Sequence, residues 1–316
     1  MKVAEHGTIT RAAVHLHMAQ PSLTQHLRHL EDHFGLPLFM RHGRGVILTA
    51  AGKALRLKAE ILIDQIDALK SELESSEARP QGTLSVGMPI SWSELVTYPV
   101  IERFHREYPE VRIKLAVNAS EALAESMNSN QLQIAVLIQT DGQDNLWSKP
   151  LVEDDLFLLG PAGSDLNKLG SISLKDVASY PMILPLNLTM VMQRIDRALA
   201  AAGGTLNAVV ETPSTNILPL VARGLGYTIL SACALPPEGS DTAFEAIPII
   251  DASMVWAIAT PKNRPKTAAV LVFEKFLTEQ VADSVSSGRW RTATMRAQSS
   301  DEEGNDDLGT LAKLRL

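Results

Sequence analysis

Residues 8–32 read TITRAAVHLHMAQPSLTQHLRHLED, and this stretch decides the fold of the N-terminal region. Segments 10–16 and 20–34 have helical composition, and His17, Met18 and Ala19 between them leave room for one tight turn. That is the spacing of a helix-turn-helix. Pro21 falls in the first turn of the second helix, where its missing N–H costs nothing. Leu23, Leu27, Leu30 and Phe34 project into one narrow sector, the expected core face. Gln25 and Arg28 project from the opposite side, flanked by Thr24 and by a stripe of Ser22, His26, His29 and His33. A polar face rich in hydrogen-bond donors is therefore expected to look outward. The three histidines at helical spacing also raise a zinc site. No Cys or carboxylate cluster is spaced to complete one, so the sequence is assigned no metal and no cofactor. Glu31 and Asp32 read as plain surface charges.

Working outward, LPLFMRHGRGVILT (36–49) has apolar runs on either side of His42-Gly43-Arg44-Gly45. This predicts a small hairpin, or wing, that presents Arg44 at its tip. Thr49 is a good helix N-cap, and from it the chain runs to about residue 77 with no internal Pro, roughly 40 Å of helix. Gly52, near its start, is tolerable there. Leu55, Ala59, Leu62, Ile66, Leu69 and Leu73 recur at alternating spacings of four and three, a heptad seam. Such a seam implies pairing, most simply with a second copy of the same chain; an intramolecular core is the alternative.

The charge distribution singles out the same region. The chain has 316 residues, 45% of them hydrophobic and 21% charged, enough for two or three ordinary cores. Its net charge is −7. Residues 1–60 nevertheless hold eight Lys or Arg against four Asp or Glu, a net +4 that leaves −11 for the remainder. Seven of the eight histidines lie there too. The first sixty residues are thus the candidate contact for a polyanion. No uncharged apolar run approaches the roughly 18 residues of a membrane helix, and MKVAEHG lacks a secretory apolar stretch, so a cytoplasmic location is expected. Cys233, the one cysteine, has no disulfide partner and reads as a small buried hydrophobe.

Beyond a break at 78–82 the order alternates. Strands are expected near 83–88, 111–117, 132–138, 155–160, 181–184, 207–211, 226–230 and 254–260. Helices are expected near 94–106, 119–129, 188–202, 214–223 and 266–280. This is α/β order, which forms mostly parallel sheets. After about residue 286 the chain turns polar and acidic, and 286–316 is expected to be a disordered tail.

The ordered set TRAAVHLHMAQPSLTQHLRHLED, LPLFMRHGRGVILTAAG, a heptad helix, GTLSVGMP and ARGLGYTIL resembles the LysR-type transcriptional regulators over nearly the whole chain except the tail. GMPISWSELVTYPVIERFHREYP is most similar to the branch containing nitrogen-assimilation regulators. The resemblance implies an α/β protein with a winged helix-turn-helix headpiece (1–48), a linker and dimerisation helix (49–78) and a two-lobed, periplasmic-binding-protein-like effector domain (82–285). Lobe 1 would comprise about 82–160 and 262–285, lobe 2 about 161–261. Crossover strands would lie near 160–164 and 259–263, with the effector between the lobes. Family members usually carry one more helical stretch before Val3-Ala4-Glu5-His6-Gly7. Either Met1 is not the natural start, or the first helix is short and the headpiece less firmly packed.

With that frame, Gln20, Pro21, Ser22, Thr24, Gln25, Arg28, Arg44 and Thr49 become the expected DNA contacts. The bland alternative is a solvated helix face. Pro21, Thr24 and Gln25 are the candidates for base edges; many relatives have Arg where this chain has Gln25, and Gln suits the N6/N7 edge of adenine. Arg28, Arg44 and Thr49 suit phosphates or the minor groove. For the effector, three helix starts carry polar groups: Ser91 with Ser93, Asn187 with Thr189, and Ser214 with Thr215. Ordinary N-capping is the alternative for each. The resemblance favours Ser91, Thr189 and Thr215 as cleft-facing. Leu188, Met190 and Ile217 beside them suit a modest, partly apolar ligand.

A DNA-binding regulator working as a dimer or tetramer, with double-stranded DNA, a small-molecule effector and RNA polymerase as partners, is therefore the leading expectation. A small-molecule-binding protein whose short headpiece no longer grips DNA is the second. An enzyme is not expected, because no G-x-S-x-G elbow, phosphate loop, G-x-G-x-x-G fingerprint or Cys–His pair occurs.

Overall fold

The computed structural model describes residues 1–43, 45–73, 80–139, 145–186, 189–201, 203–235, 243–296 and 314–315. The chain divides into two compact units, Met1–Ser75 and Ser76–Leu316.

In the first unit, α1 (Lys2–His6) buries Val3 and closes on Gly7, whose φ of 67° needs no Cβ. Thr8 caps α2 (Ile9–His15) by accepting from the Arg11 N–H. Ala12 and Ala13 bury the inner face of α2, and their small side chains let the helices approach closely. After a turn, α3 (Gln20–Phe34) carries Pro21 in its first turn and ends at Gly35 in the left-handed conformation. The core is Val3, Ala12, Ala13 and Leu23, with Ile9, Leu27, Phe39 and Val46 packed against it. Leu30 and Phe34 do not join it; they are 42% and 47% exposed. The expected four-residue core face thus shortens to Leu23 and Leu27. A helix of about 22 Å outruns so small a core after its second turn.

Strands β1 (Phe39–His42) and β2 (Gly45–Leu48) pair antiparallel with His42 opposite Gly45. The wing is therefore a two-residue hairpin, and Gly43, with φ of 55°, meets the backbone demand of such a turn. Arg44 lies outside the described residues. Val46 N–H donates to the Gly7 carbonyl at 2.8 Å, which ties the wing to the end of α1. Thr49 then caps α4 (Ala50–Leu73), its hydroxyl accepting from Gly52 N–H at 3.0 Å and donating to the Pro37 carbonyl at 2.7 Å. Gly52 is required rather than tolerated. A Cβ there would sit 2.0 Å from the Leu38 carbonyl oxygen.

The second unit opens with β3 (Gly82–Pro89), a 3-10 turn (Ile90–Trp92) and a π-helical turn (Ser93–Thr97) leading into α5 (Tyr98–Glu107). Then come β4 (Val111–Asn118), α6 (Ser120–Asn128), β5 (Ile134–Ile138) and the long β6 (Leu146–Pro161). There follow α7 (Leu174–Val177), β7 (Met182–Pro185), α8 (Met190–Ala201), β8 (Ala208–Thr212), α9 (Ser214–Val221) and β9 (Thr228–Ser231). The chain returns along β10 (Phe244–Pro261) to α10 (Ala268–Ser286), β11 (Thr294–Met295) and β12 (Leu314–Arg315). One mixed sheet has the order β11-β6-β10-β5-β3-β4, with β9 also on β6 and β12 on β10; β7 and β8 form a separate parallel pair.

Two expectations change here. The sheets are only partly parallel: β3 pairs parallel with β4 and β5, but β10 runs antiparallel to both β5 and β6. The passage between lobes also lies elsewhere than 160–164 and 259–263. Trp256–Ala259 pair with β5 of the first lobe, whereas Leu156–Leu159 pair with β9 of the second. β6 and β10 are thus each shared by both lobes. They cross near Glu153–Asp155 and Ser253–Val255, where they pair with each other, and a chain that leaves one lobe and returns must run antiparallel to itself.

The expected disordered tail is overturned over residues 286–296. Trp290 is 2% exposed, and Thr294–Met295 pair with Glu153 and Val152. An indole large enough to fill the core outweighs the polar composition around it. Residues 297–313 lie outside the described residues, and Leu314–Arg315 pair with β10.

Gly52→Ala should lower headpiece stability by about 1–3 kcal/mol, read as an earlier first transition in chemical unfolding. An unchanged transition would show that the Leu38 carbonyl yields freely.

Candidate nucleic-acid interface and effector cleft

The outward face of α3 follows from what its inward face buries. With Leu23 and Leu27 anchored, Gln20, Pro21, Thr24, Gln25, Arg28, His29 and Asp32 line one open surface. Gln20, Pro21, Ser22, Gln25 and Arg28 are exposed. The Thr24 hydroxyl donates to the Gln20 carbonyl at 2.9 Å, so what it offers a ligand is its lone pairs and its methyl group. The Thr49 hydroxyl is spent on the α4 cap and on Pro37. Any backbone contact near it falls to main-chain amides of the helix start. Of the eight expected DNA-contact residues, Gln20, Pro21, Gln25 and Arg28 are exposed on one face of α3 with Thr24 half-buried beside them, and Ser22 is exposed on its flank. Thr49 lies at the start of α4, and Arg44 is outside the described residues.

Glu31 corrects its expected role. Its Oε1 accepts from the main-chain N–H of Leu38 at 2.7 Å and of Phe39 at 3.1 Å. One carboxylate thereby clamps α3 to the start of the wing, through charge-assisted bonds. No group of three or more His, Cys, Asp or Glu suited to a metal occurs among the described residues.

On α4, Leu55 and Ala59 are half-buried while Leu62 and Ile66 are 59% and 53% exposed, with Ile63 beside them. The side chains of Leu69 and Leu73 lie outside the described residues.

In the two-lobed unit, the polar helix starts lie beyond the C-terminal ends of parallel strands, where α/β sheets generally bind ligands. Pro185 at the end of β7 pairs with Thr212 at the end of β8, which sets Thr189 and Thr215 after neighbouring strands. Thr189 accepts from Met192 N–H at 3.3 Å as the cap of α8, the alternative role weighed for it. Thr215 is exposed, and α9 has no side-chain cap. The Ser93 hydroxyl folds back onto the Ile90 carbonyl at 2.8 Å, so local capping accounts for it. Asn187 lies outside the described residues. Ser91, after β3 in the first lobe, reaches the Cys233 thiol in the 3-10 turn Ala232–Ala234 that follows β9 of the second.

Below that contact is a cluster the sequence did not disclose. Asp154 on β6 is 0% exposed. It accepts from Trp290 Nε1 at 2.9 Å and from Trp256 Nε1 at 3.3 Å, and both the main-chain N–H and the thiol of Cys233 also bond to it. Trp92 packs edge-on against both indoles, with centroids 5.5 Å from Trp256 and 4.9 Å from Trp290. Burial pushes the Asp154 carboxyl up to about 6 against the pull of these donors, and pushes the Cys233 thiol well up too. A signal existed: Val152, Asp154, Leu156 and Leu158 alternate onto one buried strand face.

A winged helix-turn-helix with a donor-rich exposed helix face, joined in sequence to a bilobed α/β domain, defines a DNA-binding regulator with a ligand-binding module. The chain belongs to the LysR family of such regulators. Residues 1–53 match the bacterial regulatory helix-turn-helix protein of the lysR family, and residues 77–282 match the LysR substrate binding domain. It is 27% identical over 291 residues to the transcriptional regulator BbuR of Bordetella bronchiseptica, covering 91% of this chain and 90% of that one. It is 29% identical over 236 residues to the nitrogen assimilation regulatory protein nac of Klebsiella aerogenes, covering 74% and 76%. Among solved structures, a full-length OxyR variant from Pseudomonas aeruginosa superposes with a TM-score of 0.71 at 19% identity, covering 96% of each chain. Full-length CbnR in complex with its target DNA superposes at 0.57 and 19% identity, covering 88% and 96%. No described helix is long and apolar enough to cross a membrane.

Glu31→Ala should cost the headpiece on the order of 1–3 kcal/mol by orphaning two amides. Asp32→Ala, on the exposed face, should change denaturant stability little; equal effects would discount the clamp.

Proposed function

We propose that the chain is a cytoplasmic transcription regulator that reads double-stranded DNA with α3 and couples that grip to a small molecule held between the lobes of its C-terminal domain. The observation that supports it most is the α3 face, where Gln20, Gln25 and Arg28 are exposed together while Leu23 and Leu27 hold the helix from behind. In this reading Gln25, Thr24 and Pro21 meet base edges in the major groove, with Gln25 favouring adenine. Arg28 and Arg44 neutralise phosphates, and the start of α4 approaches the backbone through its amides. CbnR, a structural neighbour, has been solved with its target DNA.

The heptad stripe of α4 joins two copies, and the exposure of Leu62 and Ile66 in the single chain fits a seam awaiting its partner. The effector is modest in size and partly apolar, bound near Ser91, Thr189 and Thr215. By favouring one lobe arrangement it shifts the spacing of the paired headpieces, and RNA polymerase is the machinery that such a shift addresses.

A gel shift at moderate salt against the DNA upstream of its own gene tests the first half. The expected result is specific retention; loss of all preference over random DNA would leave only the ligand-binding module. Gln25→Ala should relax preference at one base step. Arg28→Ala should weaken all sites alike and reduce the salt slope by about 1. Ile66→Glu should shift the mass in light scattering to that of one chain, and a mass that stays at two or more copies would place the seam elsewhere.

A further inference from the structure

The Asp154 carboxylate joins four separate segments at the point where the lobes meet. It sits on β6 at the crossing, holds Trp256 of β10, and holds Trp290 from the segment after α10. Through the main-chain N–H and the thiol of Cys233 it also holds the turn that follows β9. The first-lobe residue Trp92 covers the assembly and is itself 0% exposed. The carboxylate meets four donors, the two indole N–H groups, the Cys233 main-chain N–H and the Cys233 thiol, which take up its four lone-pair sites. A protonated carboxyl carries a donor of its own in place of one acceptor site, so one of the four must turn away. The two protonation states therefore cannot keep the same set of contacts.

We propose that Asp154 is a positioning residue for the lobes, a proton-operated latch whose ionised form ties the second-lobe turn to the crossing strands and whose protonation releases one of those ties. Desolvation holds its carboxyl at about 6, within the range a cytoplasm or an acidified compartment spans. The groups facing it are few. Cys233, Ser91 and Ser231 come from the two turns and β9, with the thiol well above its ordinary value. Trp256 on β10 and Trp290 on the last segment are neutral. Glu153, next along β6, is held by Ser253 at 2.7 Å and Arg296 at 2.5 Å, and Arg289 is held by Asp283. The proposal concerns the effector-domain unit alone and stands whether or not the headpiece binds DNA.

Tryptophan fluorescence of the full chain isolates this unit. All four tryptophans lie in it, at 92, 147, 256 and 290, together with only one of the eight histidines, His105. Emission should change reversibly between about pH 7.5 and about pH 5, with a midpoint near 6. Asp154→Asn, whose amide accepts at one oxygen only, should show no transition and hold the low-pH signal. Trp290→Phe removes a donor from the carboxylate, so its midpoint should move up. His105→Gln should titrate as the parent does. A flat parent curve, a transition that persists in Asp154→Asn, or an unmoved midpoint in Trp290→Phe would overturn the proposal. Should Asp154→Asn fail to fold by circular dichroism, the Trp290→Phe shift decides.

Discussion

The effector-domain unit depends on one constraint: β6 and β10 are antiparallel partners along nearly their whole lengths, and each belongs to two lobes. Leu146 pairs with Pro261 at one end and Pro161 with Phe244 at the other. No other described element spans both lobes. Any change in the angle between the lobes must therefore be absorbed by these strands near their middle, where the register slips between Pro248 and Ser253 and again between Trp256 and Ala257. Irregular pairing is where a ladder bends most easily. Asp154 and Trp256 sit within that stretch, so the polar cluster lies at the pivot rather than in the body of either lobe.

The headpiece solves a different problem, how to hold the exposed helix α3 with very little core. Four buried residues cannot fix a 15-residue helix by area alone. The shortfall is met by directional bonds and by close backbone approach. Glu31 binds two wing amides, Val46 binds the carbonyl that ends α1, and Thr49 joins Pro37 to the first turn of α4. Gly45 and Gly52 allow the chain to pass where a Cβ would collide with carbonyl oxygens at 2.3 and 2.0 Å. The polar groups committed to this framework are not free to touch a ligand, which explains why Thr49 is capped internally while Gln20, Gln25 and Arg28 stand outward.

These features mark how far the sequence was legible. Local signals with a fixed period or a strong residue preference translated well: the helix-turn-helix spacing, Pro21 in a first turn, the hairpin about residue 43, the Thr49 cap and the alternation of strand and helix. Signals that depend on what lies across the interface did not. Helical periodicity groups Leu30 and Phe34 with Leu23, but it cannot say where the facing core ends. Glu31 looks like any surface carboxylate until the start of the wing is laid beside it. The crossing of the lobes was misplaced by several residues, because a strand that is apolar on both sides looks the same whichever lobe it serves. Polar neighbours place Trp290 in a tail, whereas the structure buries its indole against Trp92.

Asp154 is the instructive case, because its cost can be gauged. Its carboxyl moves from an ordinary value of 3.8 to about 6, which corresponds to on the order of 3 kcal/mol of penalty on the ionised form at neutral pH. The sign follows from the folded protein holding the proton more tightly than the unfolded chain does. The contribution of this group to folding is fully present below 3.8 and is lost as pH rises through about 6. An apolar side chain in its place would carry no such penalty, and replacing buried charges by well-packed apolar groups is often neutral or stabilising. What an apolar residue cannot do is orient two indoles and a main-chain amide from three other segments at once. The cluster thus exchanges stability for a defined arrangement of four segments at the pivot.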